Sequence, residues 1–204
     1  MHKSSHSKME WFKDNYLDTQ TNLKILDVGS LDIQGGYNYS DIFNEPNWEY
    51  TGLDYVDGDN VDIVVTDIYN WFEVEAETYD VVISGQLFEH LEFFWLTMSQ
   101  IEKVLKPGGY VCIIAPSDGP KHGGGIENCY KFYEEGLKAL AKYVNLEVLH
   151  TSLNDTNEAK PWYDTCLVAH KEGKITKEDS EELETRINNL EGKLDSILEA
   201  INKK

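Results

Sequence analysis

Leu23-Lys24-Ile25-Leu26-Asp27-Val28-Gly29-Ser30 decides the fold, because it is an apolar run that ends in an acid with a glycine two residues later. The pattern predicts a buried strand that enters a tight turn at the carboxyl edge of a parallel sheet, where open α/β sheets bind ligands. Gly29 has no side chain, so its backbone can lie against a ligand. The Asp27 carboxylate would repel a pyrophosphate but attract an ammonium or a sulfonium, and S-adenosylmethionine carries both. The alternative is an ordinary strand-to-helix turn with a solvated Asp27.

The rest of the chain alternates between predicted strands and helices. Apolar runs predict further strands at 50–55, 61–66, 79–84, 110–115, 146–150 and 165–169, and amphipathic spacing predicts helices at 7–18, 39–43, 69–75, 89–105 and 133–144. We expect Pro107-Gly108-Gly109 to separate the long helix from the strand after it. This alternation favours a Rossmann-like α/β fold with a doubly wound, mostly parallel sheet. No helix is predicted between the last two strands, which indicates an antiparallel hairpin at one edge.

The residues after Glu172-Gly173 follow a different pattern. Apolar residues repeat there at spacings of 4, 3, 4, 3 and 4, which is typical of a coiled-coil seam: Leu183, Ile187, Leu190, Leu194, Ile197 and Ile201. We therefore expect one domain over 1–170 and a coiled-coil-like amphipathic helix over 175–204. An isolated helix of this length is marginal in water, which favours a homo-oligomer formed through residues 183–201. Docking on the domain or on a different protein is the alternative.

The chain is strongly acidic, with 204 residues and a formal net charge of −19, and Arg186 is its only arginine. Such a surface repels phosphate backbones, so we expect no nucleic-acid partner. No apolar run is long enough to span a membrane, and the polar N-terminus lacks a signal-peptide core. The three cysteines show no CxxC or metal-ligand spacing, which indicates reduced thiols and a cytoplasmic location.

Two acids follow the next predicted strands. Asp54 ends the second strand and can accept the two ribose hydroxyls of an adenosine, as acids at this place do in dinucleotide folds. Asp67 follows the third strand, where it can accept the adenine amino group while Ile68 covers the ring. A solvated loop acid at Asp54 and a helix N-cap at Asp67 are the alternatives.

The segments after the fourth and fifth strands face the predicted methyl donor. Ser84 and Gly85 would line the cofactor, and His90 can act as a base or bind the substrate because it titrates near neutrality. Alternatively, Glu89 and His90 merely open the long helix. Asp118 and His122 can form a base and its orienting acid. The alternatives for this pair are a surface loop or a divalent metal site, although no third ligand is evident.

These motifs resemble those of class I S-adenosylmethionine-dependent methyltransferases, in the type 11, ubiquinone-biosynthesis-like group. The resemblance covers roughly residues 20–170 and rests on these features in order: Leu26 to Ser30, Asp54, Thr66-Asp67-Ile68, Ser84 to His90 and Leu105-Lys106-Pro107-Gly108-Gly109. It implies a seven-stranded sheet, with Asp27 and Gly29 near the methionine part, Asp54 at the ribose and Asp67 at the adenine. The glycine-rich loop departs from the family pattern, because Leu31 and Ile33 replace its later glycines and Gly35 comes late.

A closer subgroup has similar segments around the expected acceptor site: Glu92-Phe93-Phe94-Trp95, Pro116 to His122 and Cys129 to Tyr133. Where that subgroup has basic or bulky residues after the histidine, this chain has Gly123-Gly124-Gly125, so its acceptor recognition is expected to differ. Some members of the subgroup are thought to act on surface glycans, which is an analogy at the level of the fold.

The expected activity is therefore methyl transfer from S-adenosylmethionine to oxygen or nitrogen of a small-molecule, glycan or nucleotide-sugar acceptor, with S-adenosylhomocysteine as product. His122, helped by Asp118, is the first candidate for the base, and His90 is the second. No metal site is expected. The alternative is a catalytically silent methyltransferase-like module that acts through its C-terminal helix; a nicotinamide oxidoreductase would need a GxGxxG turn. The expected cofactor residues are Asp27, Gly29, Ser30, Gly35, Asp54, Asp67, Ile68, Ser84 and Gly85.

Overall fold

The computed structural model describes residues 3–32, 35, 38–121, 127–153, 160–173, 185–187, 190 and 193. The chain divides into two units, Met1–Glu172 and Gly173–Lys204. The strands of the first unit are β1 Leu23–Val28, β2 Trp48–Asp54, β3 Ile63–Val64, β4 Tyr79–Gly85, β5 Leu105–Pro116, β6 Glu147–Leu153 and β7 Asp164–His170. Its α-helices are α1 Lys3–Tyr16, α2 Phe94–Val104 and α3 Glu134–Tyr143, and short 3-10 helices cover Tyr39–Asp41 and Phe88–His90.

The seven strands form one sheet in the order β3-β2-β1-β4-β5-β7-β6. β1 pairs in parallel with both β2 and β4, so the strand order reverses direction between β1 and β4. Ligands of open α/β sheets bind at such a switch point. β7 runs antiparallel to both β5 and β6, which places the hairpin at one edge. The predicted seven-stranded, mostly parallel Rossmann-like sheet is confirmed.

Alternate residues of the central strands pack on opposite faces of the sheet, as the two-residue period of a strand requires. Leu26 and Val28 face one apolar cluster, which also contains Met98 of α2 and Leu137 of α3. Ile25 faces the other cluster, which contains Met9 and Phe12 of α1. The sheet is thus buried on both faces, which explains the nearly continuous apolar runs of its central strands.

Two helix predictions were wrong because side chains and distant segments occupy backbone groups that a helix would need. Residues 69–75 form turns and bends, since Gln100 Oε1 of α2 accepts the Trp71 N–H at 3.1 Å, and a helix would pair that N–H with a carbonyl four residues earlier. The predicted helix over 89–105 is interrupted before α2. The Glu89 carbonyl there accepts the N–H groups of Cys129 and Tyr130, at 2.7 and 3.1 Å, rather than that of a helical residue.

Other boundaries moved by a few residues. α1 begins at Lys3 rather than residue 7, and β3 keeps only two of six predicted residues. The predicted break at 107–109 is instead part of β5, which begins at Leu105 and pairs irregularly with β4 between Tyr79 and Val81.

In the second unit, residues 185–187, 190 and 193 are helical, and Ile187 and Leu190 are exposed. The other positions of the predicted seam lie outside the described residues, so the coiled coil stays a prediction. No helix in the described part of the chain has the length and apolar character needed to cross a membrane.

Candidate functional site

Asp27 lies near the carboxyl end of β1, at the switch point, and only 3% of it is exposed. Its Oδ2 accepts a hydrogen bond from the Tyr50 hydroxyl at 2.6 Å, and Asn60 Nδ2 donates to that hydroxyl at 3.2 Å. Burial raises the pKa of Asp27 to about 7; the Tyr50 hydrogen bond lowers it, and the charge of Asp54 raises it further. A cation at this edge would favour the carboxylate form.

Gly29 has a φ of +84°, and a Cβ added there would lie 2.9 Å from Leu87 Cβ. The position therefore requires glycine for its backbone conformation and for its contact with Leu87. Ser30 Oγ donates to the Asn60 carbonyl at 2.7 Å, and Asn60 Nδ2 donates back to the Ser30 carbonyl at 2.9 Å. This pair of bonds ties the loop after β1 to the loop after β2. Gly35 is exposed, and its N–H donates to Asp32 Oδ1 at 2.9 Å.

Asp54, at the end of β2, is buried, and its carboxylate accepts hydrogen bonds from the loop after β1 and from the loop after β2. Its Oδ2 accepts the Leu31 N–H at 3.3 Å, while Oδ1 accepts the N–H groups of Tyr55 and Val56 at 2.7 and 3.1 Å. Burial raises the pKa of Asp54, and these three N–H groups lower it. Oδ1 already accepts two hydrogen bonds, but Oδ2 has a second lone pair that could accept a ribose hydroxyl. Tyr55, directly after it, is 56% exposed and offers an aromatic face beside this edge.

Asp67 and Ile68 occupy a turn after β3. Asp67 is exposed, and its Oδ1 caps this turn through the Tyr69 N–H. Ile68 packs in the apolar core and is only 9% exposed, which leaves little of its side chain for contact with a ligand. The turn helps to fix Ile68, because its carbonyl accepts Thr97 Oγ1 at 3.2 Å.

Ser84 and Gly85, at the end of β4, contact protein groups. Ser84 is fully buried, and its Oγ donates to the Val28 carbonyl at 2.8 Å, which links β4 to β1. A Cβ on Gly85 would lie 1.9 Å from the Tyr39 hydroxyl oxygen. That hydroxyl shares a 2.6 Å hydrogen bond with Ser5 Oγ of α1. The two residues therefore position β4 and α1 at this edge.

The predicted catalytic residues are only partly described. Asp118 is exposed, its Oδ1 accepts the Gly119 N–H at 2.7 Å, and its own N–H donates to the Trp162 carbonyl at 3.1 Å. His122 lies outside the described residues, so the base pair of Asp118 and His122 stays a prediction. His90 Nδ1 lies 2.6 Å from the Glu127 carbonyl, which requires the proton on Nδ1 because a carbonyl only accepts.

Sequence reasoning missed a buried polar cluster beside this edge. Glu89 is 1% exposed, and its Oε1 lies 3.6 Å from His90 Nε2. Burial raises the pKa of Glu89 to about 8, which the charge of Lys131 partly offsets and that of Asp164 reinforces. The sequence contains only a weak indication of a buried Glu89, because an acid that follows a strand is also typical of the first turn of an exposed helix. Among the described residues, no group of three or more His, Cys, Asp or Glu could hold a metal ion.

Comparison with known proteins agrees with this geometry. Residues 31–113 match the family model described as "Methyltransferase domain". The comparison with curated proteins gave no match. Among solved structures, an S-adenosylmethionine-dependent methyltransferase from Methanosarcina mazei is 14% identical with a TM-score of 0.58, and the match covers 79% of this chain and 97% of that one.

Two further structures share the fold. The 1,6-didemethyltoxoflavin-N1-methyltransferase of Burkholderia thailandensis, which contains bound 1,6-didemethyltoxoflavin and S-adenosylhomocysteine, is 16% identical with a TM-score of 0.62; the match covers 83% of this chain and 79% of that one. An S-adenosylmethionine-dependent methyltransferase from Mesorhizobium loti is 13% identical with a TM-score of 0.56, covering 80% and 98%.

The fold is that of the class I S-adenosylmethionine-dependent methyltransferases. The match to the methyltransferase-domain model covers residues 31–113, from the loop after β1 into β5.

Proposed function

We propose that this chain transfers a methyl group from S-adenosylmethionine to oxygen or nitrogen of a small-molecule, glycan or nucleotide-sugar acceptor. The observation that carries the proposal is the buried Asp27 at the switch point, with Asp54 at the end of the neighbouring strand. The cofactor supplies an electrophilic methyl group, and the protein's contribution is to position the reactants and exclude water.

The residues of this edge fit the cofactor's polar groups. The Asp27 carboxylate is complementary to the ammonium of the methionine part, since a buried acid gains most from an opposite charge. Asp54 Oδ2 retains a lone pair for a ribose hydroxyl, and Asp67 is exposed for the adenine amino group. Ser30, Gly35, Ser84 and Gly85 act in this proposal by shaping the loops and strand ends around the cofactor.

An acceptor with a ring is favoured by the aromatic residues beside Glu89. Phe94 packs edge-on against Tyr130, with ring centroids 4.8 Å apart, and Tyr130 remains 37% exposed. Phe93 is 44% exposed in the same segment. The net charge of −19 disfavours a nucleic acid, with its repeated phosphates, as acceptor. His122 with Asp118, or His90, supplies the base in this proposal.

A turnover assay tests the proposal. S-Adenosylhomocysteine formation is measured with nucleotide-linked hexoses and with small phenols and amines as acceptors. We expect formation with at least one acceptor class, and a loss of about 10²–10⁴-fold in His122→Ala, as for removal of a general base. Lys142→Ala, at an exposed position of α3, is the control and should keep wild-type turnover. Full turnover by His122→Ala would remove that residue as the base.

We also propose that residues 183–201 associate two or more copies of the chain. Deletion of 175–204 should lower the molar mass measured by light scattering while S-adenosylmethionine binding is kept. An unchanged mass would contradict self-association. Loss of folded protein upon deletion would instead indicate that the tail packs on the domain.

A further inference from the structure

Three side chains beside β4 carry buried polar atoms that have no hydrogen-bond partner among the described residues. These atoms are Gln86 Oε1, both carboxylate oxygens of Glu89, and Lys131 Nζ. The described part of the chain has no other such atoms, so every orphaned polar atom falls in this one cluster. Buried polar groups in native proteins are normally paired, and a concentration of exceptions requires an explanation.

Contacts with one segment hold the three side chains together. Gln86 Nε2 donates to Asp164 Oδ1 at 3.0 Å, at the start of β7, and the charge of Asp164 acts on Glu89. Lys131 Nζ lies 5.2 Å from the ring centroid of Trp162, two residues before Asp164, and its charge also acts on Glu89. The cluster thus lies at the ends of β4 and β7.

This position is on the acceptor side of the predicted cofactor site. Gln86 directly follows β4, and its N–H donates to the Ile114 carbonyl of β5 at 2.9 Å. Asp27 lies across the switch point, paired with Ile83 of β4. A molecule held by Gln86 and Glu89 would therefore be at the same sheet edge as a cofactor held by Asp27.

The unpartnered atoms determine which hydrogen-bonding groups such a molecule must carry. Gln86 Oε1 accepts hydrogen bonds, Lys131 Nζ donates them, and Glu89 accepts as a carboxylate or does both as a neutral acid. An anion would meet Glu89 and Asp164, and a cation would meet Lys131. A hydroxyl group both donates and accepts without charge, so neighbouring hydroxyls on a neutral ring satisfy all three side chains.

We infer that Gln86, Glu89 and Lys131 form the acceptor-binding subsite and that it takes a neutral polyhydroxyl compound such as a sugar ring. The inference rests on the proposed function, which it narrows to a hydroxyl acceptor. The acceptor would enter this subsite past Lys131. That residue is half-buried, and its ammonium is buried against Trp162. Its flexible side chain can leave Trp162 and bond to the incoming hydroxyls.

The test uses methyl α-D-glucopyranoside as a neutral hydroxylated probe and tetrahydropyran as the same ring without hydroxyls. Saturation-transfer NMR is recorded with the full chain and saturating S-adenosylhomocysteine. The variants Glu89→Met and Lys131→Met keep side-chain volume and remove polar atoms. Glu75→Met and Lys142→Met are matched controls at exposed positions outside the acceptor-site segments. Calorimetric titration of S-adenosylhomocysteine and a thermal melt accompany each variant.

We expect the glucoside, and not tetrahydropyran, to bind wild-type protein and both controls. Binding should weaken at least tenfold in Glu89→Met and Lys131→Met, whose melting temperatures should stay within about 5 °C of wild type, because the removed atoms make no hydrogen bond among the described residues. Equal glucoside binding in these variants, or none in wild type, would overturn the inference. A fall of more than about 5 °C in the melting temperature of either variant would also overturn it, because Glu89 and Lys131 would then stabilise the fold. Failure of S-adenosylhomocysteine to bind would contradict the proposed function instead.

Discussion

Binding of S-adenosylmethionine should be coupled to the ionisation of Asp27. This carboxyl is buried with a pKa of about 7, so it is mostly neutral at pH 6. The cofactor's ammonium and sulfonium favour the ionised form, and binding must therefore remove the proton. Affinity should rise with pH until the carboxyl is already ionised in the free protein.

The magnitude follows from the ionised fraction. With a pKa of about 7, roughly one molecule in ten carries the Asp27 carboxylate at pH 6 and about one in a hundred at pH 5. The Kd for S-adenosylmethionine should therefore increase about tenfold for each pH unit below 7, which is a loss of about 1.4 kcal/mol of binding free energy per unit.

Isothermal titration calorimetry between pH 5 and 8, in buffers of different ionisation enthalpy, measures both the Kd and the protons released. We expect release of about one proton at pH 6. Asp27→Asn should bind weakly and lose this pH dependence. Tyr50→Phe removes a hydrogen bond that lowers the pKa of Asp27, so the transition should move to higher pH. A Kd that is flat between pH 5 and 8, or an Asp27→Asn protein with the wild-type slope, would refute the reasoning.

Two further predictions concern stability. Gly85→Ala places a methyl group 1.9 Å from the buried Tyr39 hydroxyl, so we expect a loss of about 2–4 kcal/mol in unfolding free energy by denaturant titration. Gly136→Ala, in α3 with open space around it, should instead be neutral or stabilising by up to about 1 kcal/mol; equal effects of the two would contradict the packing argument. The pKa of Glu89 is raised from 4.5 to about 8, so the unfolded chain loses this proton first and wild-type stability should fall as pH rises from about 5 to 8. Glu89→Gln should lack this contribution, at most about 1.4 kcal/mol per pH unit, and parallel pH profiles of the two proteins would show that Glu89 does not titrate in this range.

The parts of the fold that local sequence determines were predicted well. β1 was predicted to the residue, and β4 and α3 within one residue at each end, because apolar runs and amphipathic spacing report burial directly. The helix expected at 69–75 failed because the Gln100 side chain, far along the chain, accepts the Trp71 backbone N–H. The long helix was interrupted because residues 129 and 130, far along the chain, bond to Glu89.

The same distinction applies to the candidate site. Asp27 and Asp54 could be placed at one sheet edge, because parallel strands bring their carboxyl ends together. The contact of Gly85 with Tyr39 could not be predicted, since it depends on an element more than forty residues earlier in the chain. The burial of Glu89 was missed for a similar reason: the residues whose charges act on it, Lys131 and Asp164, lie far along the chain, and no local pattern reports that.

The most direct test of the central claim is calorimetric titration of S-adenosylmethionine into wild-type protein, Asp54→Asn and Asp57→Asn at pH 8. Asp54→Asn keeps an oxygen for the Tyr55 and Val56 N–H groups, and Asp57→Asn makes the same change at an exposed position three residues later. We predict saturable one-site binding to wild type and Asp57→Asn, and binding at least tenfold weaker to folded Asp54→Asn. Absence of binding to folded wild-type protein, or equal affinity of all three, would contradict a cofactor site at this edge.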